Sequence, residues 1–150
     1  MNKASYLEKQ NQLLDFFSAA KSCAEARYEK LIELGKQLPR LPTEQKIQSN
    51  RVQGCQSIMY LHSHIDQGSL FFTADSDALI SHGLAALLIK VYSGESAEVI
   101  LTCPPDYIET LGIPASLTPS RANGLYSIHL RMKQEALKFL VEKERRMAKS

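Results

Sequence analysis

The chain has 150 residues, of which 44% are apolar and 23% are charged, and its formal net charge is +2 at pH 7. This balance suits one hydrophobic core and excludes a disordered chain of low hydrophobicity and high net charge. No run of about 18 apolar residues is present, so we expect no membrane partner. We expect one domain over residues 1–150.

The cysteines and the two ends of the chain bear on compartment and partner. The three cysteines form no CxxC pair, which argues against a disulfide framework and against a four-cysteine zinc site. The first residues include Glu8 and Asp15 and lack the apolar centre of a signal peptide, so we predict a cytoplasmic protein. The basic end "EKERRMAKS" lacks interleaved aromatic side chains, so we expect no nucleic-acid partner.

Two amphipathic helices are predicted in the first part of the chain. Over residues 6–20, apolar side chains recur near one face of a helix. A second helix is predicted over residues 24–38. The segment "LPRLP" ends it, because proline cannot continue a helix. The polar residues 39–50 follow as a loop.

From Ser57 onward, the spacing of the apolar residues changes from that of a helix to that of a strand. The segment "SIMYLHSHID" alternates in the manner of a strand, and "SLFFTAD" is a second strand beyond the turn Gln67-Gly68. Together they predict an antiparallel hairpin. A third short strand is predicted over residues 47–52.

Helices are predicted again in the rest of the chain. A buried helix is expected from a cap at Asp75 or Ser76 to Gly94, and Gly83 inside it suggests close packing against another element. Short helices are expected over residues 96–101 and 106–111. For the last helix, Thr118 is a good N-cap, and the polar end is expected to fray. The sum is an α+β fold, a small antiparallel sheet with helices packed on one face.

The segment "RVQGCQS" is the best candidate for chemistry. Gly54 permits a tight turn, and the polar neighbours Gln53 and Gln56 keep Cys55 near the surface. Only an accessible cysteine with stabilised thiolate is reactive. Arg51 is a local candidate for that stabilisation. The other interpretation is a cysteine packed at the start of a strand.

Other candidate chemistry is weaker. Cys23 and Cys103 are interpreted as structural, because free cysteines tend to be buried. His62 and His64 share a strand face and would make a zinc site with a cysteine, but a structural site needs four ligands, so we predict no metal. A cysteine-dependent hydrolase would need a base beside Cys55, and no motif supplies one.

Four blocks in order resemble the SufE/CsdE family of sulfur-acceptor proteins. They are "EKLIELGKQLP", "RVQGCQS" before a hairpin, "DSDALISHGLAALL" and "SLTPSRANGL". The resemblance covers residues 6–138, leaving a polar, basic helix end at 139–150. It implies a fold similar to that of the IscU-type scaffold proteins, with the cysteine on a loop at one end.

The resemblance also implies a function and a site. Cys55 would accept a persulfide sulfur from a pyridoxal-phosphate cysteine desulfurase, SufS-like or CsdA-like, stimulate its turnover and deliver sulfur to iron–sulfur cluster assembly. No cofactor of its own is implied. Arg121 matches the family's arginine after "TPS" and would steady the thiolate or dock the partner. Asp77 and Glu109 fall on family-like positions, and Gln53, Gly54 and Gln56 flank the cysteine.

Two alternatives stay open from the residues. One is a scaffold protein that holds an iron–sulfur cluster or zinc, although cluster sites usually use several cysteines. The other is the cysteine-dependent hydrolase. A polar loop that shelters Cys55 and then swings it outward is expected in the leading interpretation, since thiolates and persulfides oxidise readily.

Overall fold

A computed structural model describes residues 2–20 and 23–149. Seven helices and three strands are found in this part of the chain, with short 3-10 turns at Ser18–Ala20, Thr43–Gln45 and Gln48–Asn50. In chain order the elements are α1 (Ala4–Phe16), α2 (Ala24–Lys36), β1 (Met59–Asp66), β2 (Ser69–Ser76), α3 (Leu79–Tyr92), β3 (Glu95–Ser96), α4 (Ala97–Thr102), α5 (Asp106–Thr110), α6 (Ile113–Ser116) and α7 (Pro119–Ala148).

The sheet is antiparallel in the order β1-β2-β3, and the predicted hairpin is confirmed. Its two-residue turn places Gln67 at φ 51° and Gly68 at φ 83°, the positive values that tight hairpin turns require. The third strand is β3, which pairs with Ser69 and Leu70. The prediction of a strand over residues 47–52 was wrong, because Gln48–Asn50 form a 3-10 turn and the contact with β1 is an isolated bridge at Arg51.

One face of the sheet lies on the core, as the alternating pattern predicts. On that face Met59, Leu61, Leu70, Phe72 and Ala74 are each at most 2% exposed. The helices cover this face, and α3 crosses it with ten of its fourteen residues buried. The combination of helices with a small antiparallel sheet confirms the α+β prediction.

Helix α3 packs closely on α2 at Gly83, as the sequence predicted. A Cβ at this position would overlap the carbonyl oxygen of Leu31 and stand 2.8 Å from the carbonyl carbon. Only glycine allows two helix backbones to approach so closely. The contact fixes the layer of helices that lies over the sheet.

Several helix boundaries differ from the predictions. The helix α3 begins at Leu79, not after Asp75 or Ser76, because those two residues end β2. The helix α1 stops at Phe16 and continues as a 3-10 turn, and α2 ends at Lys36. The last helix is capped as predicted, with the Thr118 hydroxyl accepting a hydrogen bond from the backbone N–H of Arg121. It is helical to Ala148.

Asp75 is a buried carboxylate at the centre of an ionic cluster with two exposed cations, instead of a helix cap. Its carboxylate accepts hydrogen bonds from the Arg40 guanidinium and, over 3.0 Å, from the backbone N–H of Leu41, with Lys46 Nζ 3.5 Å away. Burial alone would raise the pKa of Asp75, but these hydrogen bonds and positive charges outweigh it and hold the pKa below its usual value. The cluster ties the segment after α2 to the end of β2.

We expect Asp75→Asn to destabilise the protein by about 2 kcal/mol at neutral pH, because two charge-assisted hydrogen bonds are weakened. The lowered pKa means that Asp75 stabilises the fold above the unfolded value of about 4, and that this contribution is lost as pH falls through the folded pKa. The difference between wild type and variant in urea-induced unfolding should therefore shrink below about pH 4. Asp77→Asn, the same change at an exposed residue, is the control. An equal effect at both positions would contradict the cluster's role.

Candidate functional site

Cys55 lies at the mouth of a cavity of about 560 Å³ between the loop before β1, the start of α3 and the first turns of α7. Gln56, Arg121 and Gly124 also line it. Apolar side chains form much of the rest, among them Ile32, Met59, Leu79, Ile80, Leu84 and Ile128. Polar side chains, among them Ser57, Ser81, Thr118 and Ser120, complete the lining, and Arg121 is the one charged group among the described residues that line it.

The loop reaches this cavity because Gly54 has φ 87° and lies directly on α7. A Cβ at Gly54 would stand 2.5 Å from Ser127 Oγ, so no larger residue fits without a shift. This close approach brings the next residue, Cys55, over the cavity. The sequence prediction that Gly54 allows a tight turn and a close backbone approach is confirmed.

The Cys55 thiol is partly buried and points at α7. Its Sγ lies 3.8 Å from the carbonyl oxygen of Gly124, to which the S–H donates. Burial raises the pKa of the Cys55 thiol above its ordinary value. A carbonyl acceptor also favours the protonated form. In this position Cys55 is therefore a sheltered thiol of low nucleophilicity, and it needs exposure or a partner's charge to react.

Arg121 shares the cavity with Cys55 from the first turn of α7. The carbon of its guanidinium lies 5.4 Å from the centre of the Tyr28 ring, a cation–π distance. Tyr28 is itself fixed, because its hydroxyl donates to the carbonyl oxygen of Ser116. The arrangement holds a permanent positive charge in the lining of the cavity that Cys55 also lines.

The remaining predicted site residues divide into two groups. Gln53, Gly54 and Gln56 are exposed on the loop that carries Cys55. Asp77 lies in a different recess, of about 230 Å³, that Lys46 and Tyr60 also line. Glu109 lines a third cavity of about 360 Å³. The structure thus brings Cys55, Gln56 and Arg121 together and leaves Asp77 and Glu109 apart from them.

The two other cysteines differ from each other. Cys103 is 5% exposed and packs in the core, as predicted. Cys23 is exposed just before α2, so its interpretation as a packed residue was wrong: the position before a helix's first turn faces outward here. Because Cys23 is accessible, experiments on Cys55 must control for it.

The structure bears on the metal and hydrolase alternatives through its histidines. No histidine lines the Cys55 cavity among the residues described. His62 and His64 lie on β1 with ring centres 6.4 Å apart, and His64 stacks on Phe71. Within residues 2–20 and 23–149, no three His, Cys, Asp or Glu side chains are grouped to hold a metal ion. No described helix is long and apolar enough to cross a membrane.

Sequence reasoning missed the part of α7 that receives the loop. Gly124, Ser127 and Arg131 are three or four residues apart, so they lie along one face of the helix. Their contacts with residues 49–55 join parts of the chain about 70 residues apart or more. No local pattern marks such contacts. The helical spacing identifies the face, but not what covers it.

Comparisons with known proteins identify relatives of this chain. Residues 11–136 match the model of the family described as "SufE: Fe-S metabolism associated domain". An uncharacterized SufE-like protein of Synechocystis is 43% identical over 113 residues, which cover 75% of this chain and 71% of the relative. The sulfur acceptor protein CsdE of Escherichia coli is 37% identical over 106 residues, covering 69% of this chain and 72% of that one.

A solved structure supports the fold. The solution structure of a hypothetical protein from Thermus thermophilus matches with a TM-score of 0.72 and 27% identity, covering 89% of this chain and 96% of the other. Residues 11–136, which match the family model, include the loop of Cys55, its cavity and most of α7. On its sequence and its fold, this chain belongs to the SufE/CsdE family.

Proposed function

We propose that this protein is a sulfur acceptor for a pyridoxal-phosphate-dependent cysteine desulfurase, and that Cys55 carries the sulfur. The observation that supports this most is Cys55 itself: a partly buried thiol on a glycine turn, at the mouth of a cavity with one positive charge. The name of the Escherichia coli relative, a sulfur acceptor, points in the same direction.

The proposed reaction is a thiol exchange that balances without an added oxidant. The Cys55 thiolate attacks the outer sulfur of a persulfide on the desulfurase's cysteine. A new S–S bond forms at Cys55 as the S–S bond of the desulfurase persulfide breaks. The desulfurase's cysteine leaves as a thiolate and takes up the proton that Cys55 released. One sulfane sulfur has moved, and the desulfurase is free for another turnover.

The resting geometry suits a carrier that must not react early. With its pKa raised by burial, Cys55 stays protonated and resists oxidation while the loop is closed. When the loop opens, the thiol enters water and its pKa returns toward the ordinary value of about 8.5. When Cys55 returns carrying a persulfide, the Arg121 guanidinium on the cavity wall stabilises the negative charge.

The loop and the surface around it are the proposed contact with the desulfurase. Gln53 and Gln56 are exposed beside Cys55 and offer hydrogen bonds to a partner. Asp77 is exposed outside the cavity, and Glu109 lines a separate one, so any role of theirs is in docking, not in the sulfur transfer step. We propose that the sulfur then passes to an iron–sulfur scaffold in the cytoplasm.

The test is direct. The purified protein is mixed with a SufS-like or a CsdA-like desulfurase and cysteine, and its intact mass and the sulfide released under reducing conditions are measured. We expect a gain of one sulfur on the protein and faster desulfurase turnover, because the acceptor removes the persulfide product. A protein that neither gains sulfur nor stimulates either desulfurase would overturn the proposal.

A further inference from the structure

Arg131 of α7 is the centre of a group of hydrogen bonds at the base of the Cys55 loop. Its Nη1 donates to the carbonyl oxygen of Arg51 over 3.1 Å, and its Nη2 donates to that of Ser49 over 2.5 Å. Its Nε donates over 3.0 Å to Glu135, one turn further along the helix. The guanidinium thus binds groups of the same protein, and the Arg131 side chain is 18% exposed.

Glu135 extends this group to the sheet. One carboxylate oxygen accepts from Arg131, and the other accepts from Ser63 Oγ of β1 over 3.2 Å. The carboxylate therefore holds the planar guanidinium in one orientation, with its other two edges toward the loop. An exposed ion pair contributes little by itself, but this one orients the donors for two backbone carbonyls.

The two carbonyl groups that Arg131 binds, those of Ser49 and Arg51, lie at the base of the Cys55 loop. Arg51 bridges to Tyr60, and the backbone N–H of Val52 donates to Met59 over 2.9 Å, so the two ends of the Cys55 loop are fixed side by side. Beyond them, Gly54 lies against Ser127, the Cys55 thiol donates to α7 over 3.8 Å, and the Ser57 hydroxyl accepts from Ser81 of α3 over 3.4 Å. The hydrogen bonds at the base are therefore shorter than those at the tip, and the tip bond of the thiol is of a weak kind.

We propose that Arg131, oriented by Glu135, is a positioning residue that fixes the base of the Cys55 loop to α7, so that only the tip moves when Cys55 leaves its cavity. An anchored base confines the exposed thiol to a narrow range of positions and returns it to shelter afterwards. Orientation of this kind raises the rate of a reaction between two bound groups. The consequence for sulfur transfer rests on the function proposed above, whereas the shelter of Cys55 does not.

The first experiment measures the shelter without any desulfurase. In a Cys23→Ser background, the rate of Cys55 alkylation by iodoacetamide is followed by peptide mass spectrometry. We expect Arg131→Gln to raise that rate about tenfold, because charge-assisted hydrogen bonds that hold the closed loop are lost. Arg131→Lys keeps the positive charge but loses the planar set of N–H donors, so it should give an intermediate rate. Glu135→Gln should raise the rate about threefold.

The matched control is Arg145→Gln, the same change on the same helix. Arg145 lies 14 residues beyond Arg131, about 21 Å along the axis, and lines a different groove. Its replacement should leave the alkylation rate unchanged. If Arg131→Gln reacts at the wild-type rate, or if Arg145→Gln accelerates the reaction equally, the proposal is overturned. Should Arg131→Gln fail to fold, Glu135→Gln decides in the same way.

The second experiment separates positioning from binding. With a desulfurase and cysteine, we expect Arg131→Gln to lower the maximal sulfur transfer rate about fivefold, because the exposed thiol is poorly oriented. The desulfurase concentration for half-maximal rate should be unchanged, because the guanidinium faces its own chain. A changed half-maximal concentration with an unchanged maximal rate would contradict the inference. A wild type that accepts no sulfur would overturn the proposed function, while the alkylation rates still test the anchored base.

Discussion

Replacing Cys55 by serine should abolish sulfur acceptance. A hydroxyl cannot form the persulfide, so the gain of one sulfur seen by intact mass should vanish, and the desulfurase should turn over at its unassisted rate. Serine is close to cysteine in size, and Cys55 is only partly buried. We therefore expect the unfolding free energy to change by about 1 kcal/mol or less. The loss would then report chemistry and not misfolding.

The other cysteines are the matched controls for this prediction. Cys23→Ser removes an exposed thiol that is far from Cys55 in the sequence. Cys103→Ala removes a buried thiol. Both variants should still gain one sulfur and stimulate the desulfurase. Sulfur retained on the Cys55→Ser protein, or lost from the Cys23→Ser protein, would assign the carrier to a different residue.

Replacing Gly83 by alanine should have the largest effect on stability. The added Cβ would overlap the Leu31 carbonyl group, and backbone atoms cannot turn aside as a flexible side chain can. The helices α2 and α3 must separate, and every contact between them loosens. We expect a net loss of about 3 kcal/mol, after the gain in helix propensity, and a midpoint of thermal unfolding about 10 °C lower.

Gly124→Ala is the control for this change. Gly124 is also helical, but the nearest atom to its added Cβ would be Cys55 Sγ at 3.9 Å, an ordinary contact. This variant should be as stable as wild type or more stable by up to about 1 kcal/mol, since alanine favours the helix. If both alanine variants unfold at the same temperature, α2 and α3 do not pack as closely as the structure indicates.

Local patterns in the sequence determined several elements of this protein. Alternation in "SIMYLHSHID" and "SLFFTAD" predicted the hairpin, because side chains of a strand point to opposite faces in turn. Thr118 and Pro119 predicted the start of α7, since a hydroxyl cap and a missing N–H suit a helix's first turn. The block "RVQGCQS" singled out Cys55, and the order of four blocks identified the family.

Tertiary structure alone decided which partners Asp75 and Arg131 meet. Asp75 has the residue type of a helix cap, but its position at the end of β2, beside Arg40 and Leu41, makes it a buried anion instead. Arg131 looks like one of many surface charges, but the packing of α7 brings it to the carbonyl groups of Ser49 and Arg51. The physical reason is the same in both cases: sequence fixes which groups a residue offers, and only the folded chain determines which distant group meets them.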